Sequence, residues 1–308
     1  MKTIILLSLI SLNVFASPTA YQGSRFSDVW QQVTSDVYTR QIPRDEVTLG
    51  KFFQSGKDLL ARAAVRTVNN QNDLLPRFDK LLHPNGVCLM GTWKITKDNK
   101  YSGYFKNGSE GLIISRASVA LSETEKGHYR GFGLAGKIYP TKNRNDRAAY
   151  KTANFFTIDD LSGTKADSFL DTELTNQPKV SVRIGSIFSA DIATAAAFAL
   201  GKADANPLKR QVYQIAQMGL EADETLKVPS FMKLSGSKGQ TRNGAADFRE
   251  ELLTQIEEEG FVEFDISVAD ATKSFKKIGS IRYTEAVASE SCDHRLHFHH
   301  PKFIHELE

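Results

Sequence analysis

"RFDKLLHPNGVCLMGTWKI", Arg77 to Ile95, changes character at its middle, where His83 and a tight Pro84-Asn85-Gly86 turn stand directly ahead of an apolar run. Short runs rich in β-branched and aromatic residues, bounded by Gly, Asn or Pro, are the pattern of strands. Residues 87–95 are therefore read as a strand entered through a turn. The pattern before this point is helical and the pattern after it is β-rich, so the fold is decided at the turn. Taken alone, His83 reads as a turn histidine with a satisfied hydrogen bond.

Upstream, residues 26–40 place Val29, Trp30, Val33, Val37 and Tyr38 on one helical face. Residues 49–65 place Phe52, Phe53, Leu59, Leu60 and Ala63 or Ala64 similarly. Apolar residues at this 3.6-residue period argue for amphipathic helices, each with a face to bury. Together they form an N-terminal helical arm over residues 17–79. An arm of this kind could also serve assembly into a homo-oligomer.

Downstream, strand-like runs occupy residues 87–95, 111–119, 129–139 and 152–158, separated by Gly and Asn. A helical insert, "FSADIATAAAFALGKA", follows, with Ser189 as N-cap and Gly201 as its stop. Strands resume at 211–217, a helix covers 246–259 and ends at Gly260, and strands return at 261–268, 277–283 and 295–299. About eight strands with inserted helices predict an α+β fold, an antiparallel β-barrel carrying additions over residues 80–308.

The first residues read as an address. Lys2, a short apolar stretch to Leu12 and Val14-Phe15-Ala16 suit a signal peptide over residues 1–16, cleaved after Ala16, and hence a periplasmic or secreted protein. The apolar stretch is too short to span a bilayer. Lys+Arg 39 against Asp+Glu 36 leaves a net charge of +3 with the signs interspersed, which excludes the basic stripe of a nucleic-acid-binding protein. Two cysteines, Cys88 and Cys292, allow at most one disulfide, and the sequence leaves their pairing open.

"GFGLAG", Gly131 to Gly136, matches a dinucleotide-binding fingerprint by letter. That motif must open a helix whose N-terminus faces pyrophosphate. Lys137-Ile138-Tyr139-Pro140 is no helix start. The glycines are read instead as relief of crowding in a curved strand.

Placed in order, "KLLHPNG" (80–86), "SRASVA" (115–120), "RGFGLAGKIYP" (130–140), "TANFFTIDD" (152–160) and "SFLDTELTNQP" (168–178) resemble the haem catalases. "FVEFDISVAD", "KKIGSIRY" and "ASESCDHRLHFHHP" resemble that family's later barrel strands, so the likeness runs from about Lys80 to Pro301. The resemblance implies that His83 is the distal acid/base of a haem, acting on hydrogen peroxide or an organic hydroperoxide. It implies that Ser118 hydrogen-bonds that histidine, that Arg116 and Lys80 hold haem propionates, and that Phe169 lines the distal pocket. Three positions depart from the family. Lys80 replaces an arginine and loses its bidentate fork. Lys151 stands where a distal asparagine is expected, with Asn154 nearby, which favours peroxidatic use of a donor over oxygen evolution. No residue matches the proximal tyrosine, which leaves the axial ligand to another tyrosine or to a histidine. The alternative is a catalase-like barrel without haem, serving as a binding or structural protein.

"DHRLHFHHPKFIH" gathers His294, His297, His299, His300 and His305. In a strand, His297 and His299 share one face, which would suit a metal if His294 or His305 joined them. An edge strand with solvated histidines is the plainer reading.

Overall fold

The computed structural model describes residues 25–39, 50, 53–54, 56–58, 60–61, 74–80, 86–120, 131–140, 153–158, 227, 229, 231–237, 248–270, 275–296 and 298. His83, Lys151, Phe169, His297, His299, His300 and His305 lie outside them, as do the signal segment, the helical insert and the expected strand at 211–217.

The elements are α1 (Phe26–Ser35), β1 (Gly86–Ile95), β2 (Glu110–Ala120), β3 (Gly131–Pro140), β4 (Ala153–Ile158), β5 (Phe231–Gly236), α2 (Phe248–Glu259), β6 (Val262–Ala269) and β7 (Lys276–Val287). The strands form one seven-stranded sheet in the order β4-β3-β2-β1-β7-β6-β5, and every neighbouring pair is antiparallel. The fold is thus α+β, and the first four expected strands are consecutive and antiparallel. The edge strands β4 and β5 approach one another, yet no ladder joins them among the described residues, so a closed eight-stranded barrel is not what the described residues form.

Alternation sorts each strand into two faces. The inner face of β1 carries Val87, Leu89, Trp93 and Ile95, and it meets Ile113 and Ala117 of β2, Leu134 and Ile138 of β3, and Phe264, Ile281 and Tyr283 across β7 and β6, all buried. Trp93 lies edge-on to Phe105 with ring centroids 5.6 Å apart and donates its indole N–H to the Tyr104 carbonyl at 2.8 Å. Tyr283 donates its hydroxyl to Ser115 Oγ at 2.7 Å, which satisfies both groups inside this core. Burial pushes the Tyr283 phenol far above its ordinary range, against the opposing pull of the Ser115 hydrogen bond, so it stays a donor. Gly136 sits in this face because a side chain there would strike the Phe155 ring. The "GFGLAG" stretch is therefore strand, as expected from its glycines, and the strand runs on through Pro140.

The outer face of β1, β2 and β3 is covered by α1 and by the residues after β7. Phe26, Val29 and Val33, spaced along one helical face, pack with Cys88, Ile114, Tyr139 and Cys292. Burying each large apolar side chain contributes roughly 1.5–3 kcal/mol. The helix stops at Ser35, earlier than the expected Arg40, and Val37 and Tyr38 continue as extended chain. There Val37 bridges Ser289, and the Tyr38 N–H donates to the Ala288 carbonyl at 3.1 Å. In the second arm segment the described residues are helical, but Phe53 and Leu60 are exposed rather than buried.

Two further expectations are corrected. The strand expected at 295–299 is replaced in part by a π-type turn, Ser291–Arg295, after which Leu296 makes only an isolated bridge to Leu74. The strand β5 was not foreseen, because "FMKLSG" is too short a run for an alternating period to stand out. No helix among the described residues is long and apolar enough to cross a membrane.

Candidate functional site

The Ser291–Arg295 turn is the point where three distant parts of the chain meet. Its N-terminal end is capped by Asp36, whose carboxylate accepts from the Ser291 N–H at 3.1 Å and the Ser291 hydroxyl at 2.6 Å. Free N–H groups at the start of a helical turn are satisfied in this way by acceptor side chains, usually local ones. Here the cap comes from the end of α1. Cys292 is disulfide-bonded to Cys88 of β1, which settles the pairing that the sequence left open. Backbone bonds from Leu75 N–H to the Arg295 carbonyl (3.1 Å) and from Phe78 N–H to the His294 carbonyl (3.2 Å) dock residues 74–80 on the same turn.

Asp293 lies at the centre, 1% exposed, beside Arg116 at 4%. Its Oδ1 accepts from the Gly86 N–H at 2.7 Å and from Arg116 Nη2 at 3.1 Å, and its Oδ2 accepts from the Tyr38 hydroxyl at 3.1 Å. Burial, followed by the charge of Asp293 and the hydrogen bond to it, pushes the Tyr38 phenol well above its ordinary range and keeps the proton available for donation. A buried ion pair pays for its desolvation only when its lone pairs are satisfied. The three donors meet that condition.

The sequence-derived residues fall around this centre. Ser118 is buried on the same face of β2 as Arg116, and in the β1–β2 ladder it stands opposite Gly86. Lys80 donates from Nζ to the Cys292 carbonyl at 3.1 Å. The structure therefore brings Lys80, Arg116 and Ser118 together at the entrance of β1. Gly86, opposite Ser118, is three residues beyond His83 in sequence. Asp293 and Tyr38 were not singled out from the sequence. The Cys-Asp pair at 292–293 is the one local feature beside the site, and it says nothing of a partner 177 residues away.

His294 is the member of the histidine cluster that the described residues include. Its Nδ1 is 3.1 Å from Asp79 Oδ1, and the two make an ion pair only when the imidazole is protonated. Burial pushes its imidazole below the ordinary range, against the pull of Asp293 and Asp79. No group of three metal-ligating side chains occurs among the described residues.

The resemblance assigned Arg116 and Lys80 to haem propionates. Among the described residues both cations are turned to one turn of the chain itself, Arg116 to the Asp293 carboxylate and Lys80 to the Cys292 carbonyl. A propionate approaching Arg116 Nη2 would compete with the Asp293 carboxylate already bonded there. This part of the site does not fit haem.

No family model matches the sequence, and no curated protein is similar to it. Solved structures similar to it include three catalases. A bacterial catalase is 14% identical with a TM-score of 0.34, covering 89% of this chain and 59% of its own. A fungal catalase is 11% identical with a TM-score of 0.36, covering 80% and 56%. Catalase A from Saccharomyces cerevisiae is 10% identical with a TM-score of 0.33, covering 86% and 61%. The chain thus spans 56% to 61% of the length of these catalase chains.

Proposed function

We propose that this chain is an exported catalase-like protein that holds no haem through Arg116 and serves as a binding or structural protein. The observation that carries this reading is the closed pairing of Arg116 with Asp293, both buried and both on the face that the resemblance gives to haem. Lys80, the second cation the resemblance gives to a propionate, is likewise directed to the Cys292 carbonyl. The short apolar leader supports export. So does the Cys88–Cys292 disulfide, since such bonds persist in oxidising compartments. The deciding measurement is the absorption spectrum of purified protein after incubation with haemin. Lack of a stoichiometric Soret band is expected, and a stoichiometric band with peroxide consumption would overturn the proposal.

A second reading, peroxide chemistry of the catalase-related kind, is favoured by the position of Ser118 opposite Gly86. In that reading the Ser118 hydroxyl orients His83, and His83 moves a proton between the two peroxide oxygens. Haem would supply the oxidising centre, held by groups other than Arg116. Unchanged peroxide reactivity in His83→Ala would remove it.

A further inference from the structure

We propose that Arg116, the Gly86 amide and Tyr38 form a receptor for a carboxylate, and that the chain fills this receptor with Asp293 as its own tethered ligand. The inference rests on the reading above that no external carboxylate is held by Arg116 in the folded protein. The three donors come from three elements, β2, the start of β1 and the extended chain after α1, and none belongs to the turn that carries Asp293. One N–H of a permanent cation, one backbone N–H and one hydroxyl converging on two oxygens is a donor set suited to carboxylate recognition. Gly86 is part of the fit, because a Cβ there would stand 2.7 Å from Arg116 Cζ and Nε.

The tether is equally specific. Cys292, next to Asp293, is bonded to Cys88, and Cys88 pairs directly with Arg116 in the β1–β2 ladder. A ligand held by a covalent strut beside its receptor acts at a high effective concentration, so the site stays closed to carboxylates in solution. The contact closes the Arg116 face and joins the arm, the sheet and the chain beyond β7 in one place.

The size of the ligand follows from the side chain itself. Replacing Asp293 by Ala removes a carboxylate and leaves the shape of formate. Replacing it by Gly removes one carbon more and leaves room for acetate. The test is the thermal midpoint of wild type, Asp293→Ala and Asp293→Gly in formate, acetate or chloride at equal ionic strength. Both variants are expected to melt below wild type. Formate should raise Asp293→Ala saturably by several degrees, and acetate should do the same for Asp293→Gly. Wild type should respond to neither beyond its response to chloride, and adding Arg116→Met to Asp293→Ala should abolish the formate effect.

Folded variants with no carboxylate-selective response would overturn the proposal, as would a wild type that responds as the variants do. If the variants do not fold in chloride, refolding them in formate or acetate is the measurement. Recovery is expected there, and recovery no better than in chloride would overturn the proposal. A Soret band in wild type would sink the haem-free reading by itself, independently of the carboxylate response of the variants.

Discussion

Gly86 and Arg116 are packed so closely that a methyl group on Gly86 would stand 2.7 Å from both Cζ and Nε of the guanidinium. The first residue of β1 therefore has to be glycine for the Arg116 head group to lie where Asp293 receives it. Gly86→Ala should push Arg116 off this position and destabilise the fold by about 1–3 kcal/mol, the usual range for overpacking. A Cβ there would also stand 2.7 Å from the Ala117 carbonyl oxygen, so an unchanged midpoint in urea denaturation would mean that the guanidinium and the β2 backbone both give way freely.

The buried pair should behave asymmetrically. Arg116→Met or Asp293→Leu alone leaves a buried charge without its partner and should cost about 3–5 kcal/mol. The double variant should recover part of that loss, because two apolar groups need no counter-charge while the Gly86 N–H and the Tyr38 hydroxyl still lose their acceptor. A double-mutant cycle with additive losses would show that the two charges are not coupled.

The disulfide should stabilise the protein even though the core is large. Cys88 and Cys292 are 204 residues apart, so the cross-link restricts a long loop of the unfolded chain. Replacing both by Ala should lower stability by about 2–5 kcal/mol. Proteolysis should then cut within residues 289–296 before the sheet, since that turn loses its strut. Equal cutting with and without the bond would count against this.

Gly136→Ala should be poorly tolerated for a different reason. A Cβ there would strike the Phe155 ring and approach Ser115 Oγ at 2.9 Å, inside the packed face. Adding Phe155→Leu should restore part of the loss, about 1 kcal/mol or more, by making room. Unfolding curves of the single and double variants provide the comparison.

Stability should fall at both ends of the pH range. The folded-state pKa of His294 is lowered, chiefly by burial, so the unfolded chain binds the proton more readily and stability is lost as pH drops below about 6.5. Tyr38, Tyr101 and Tyr283 have raised folded-state values, Tyr101 to about 12. Their contribution is complete below pH 10 and disappears as pH rises through the folded values. His294→Phe should flatten the acid limb, and Tyr38→Phe should reduce the alkaline one. Chemical denaturation across pH 5–12 measures both limbs, and acid limbs that coincide for wild type and His294→Phe would contradict the first assignment.

The strands β1 to β4, the helices α1 and α2 and the strands β6 and β7 were legible because each announces itself within a few residues. Val87 to Ile95 is apolar and follows a Pro-Asn-Gly turn, Gly260 ends α2, and Pro140 with its preceding residues denies a helix after "GFGLAG". Alternation and glycine punctuation act over distances that a sequence window contains. The site was legible only in half, as Arg116, Ser118 and Lys80 on the β1 entrance. What the tertiary structure decided was the other half: Asp293 in the place of an outside anion, Cys292 as its strut, and Asp36 as the cap at the start of the turn over residues 291–295. None of these partners lies within 170 residues of the other in the chain. Local propensity at Asp293 is blind to a guanidinium brought beside it by the sheet, because only the folded sheet removes the water that would otherwise separate the two charges.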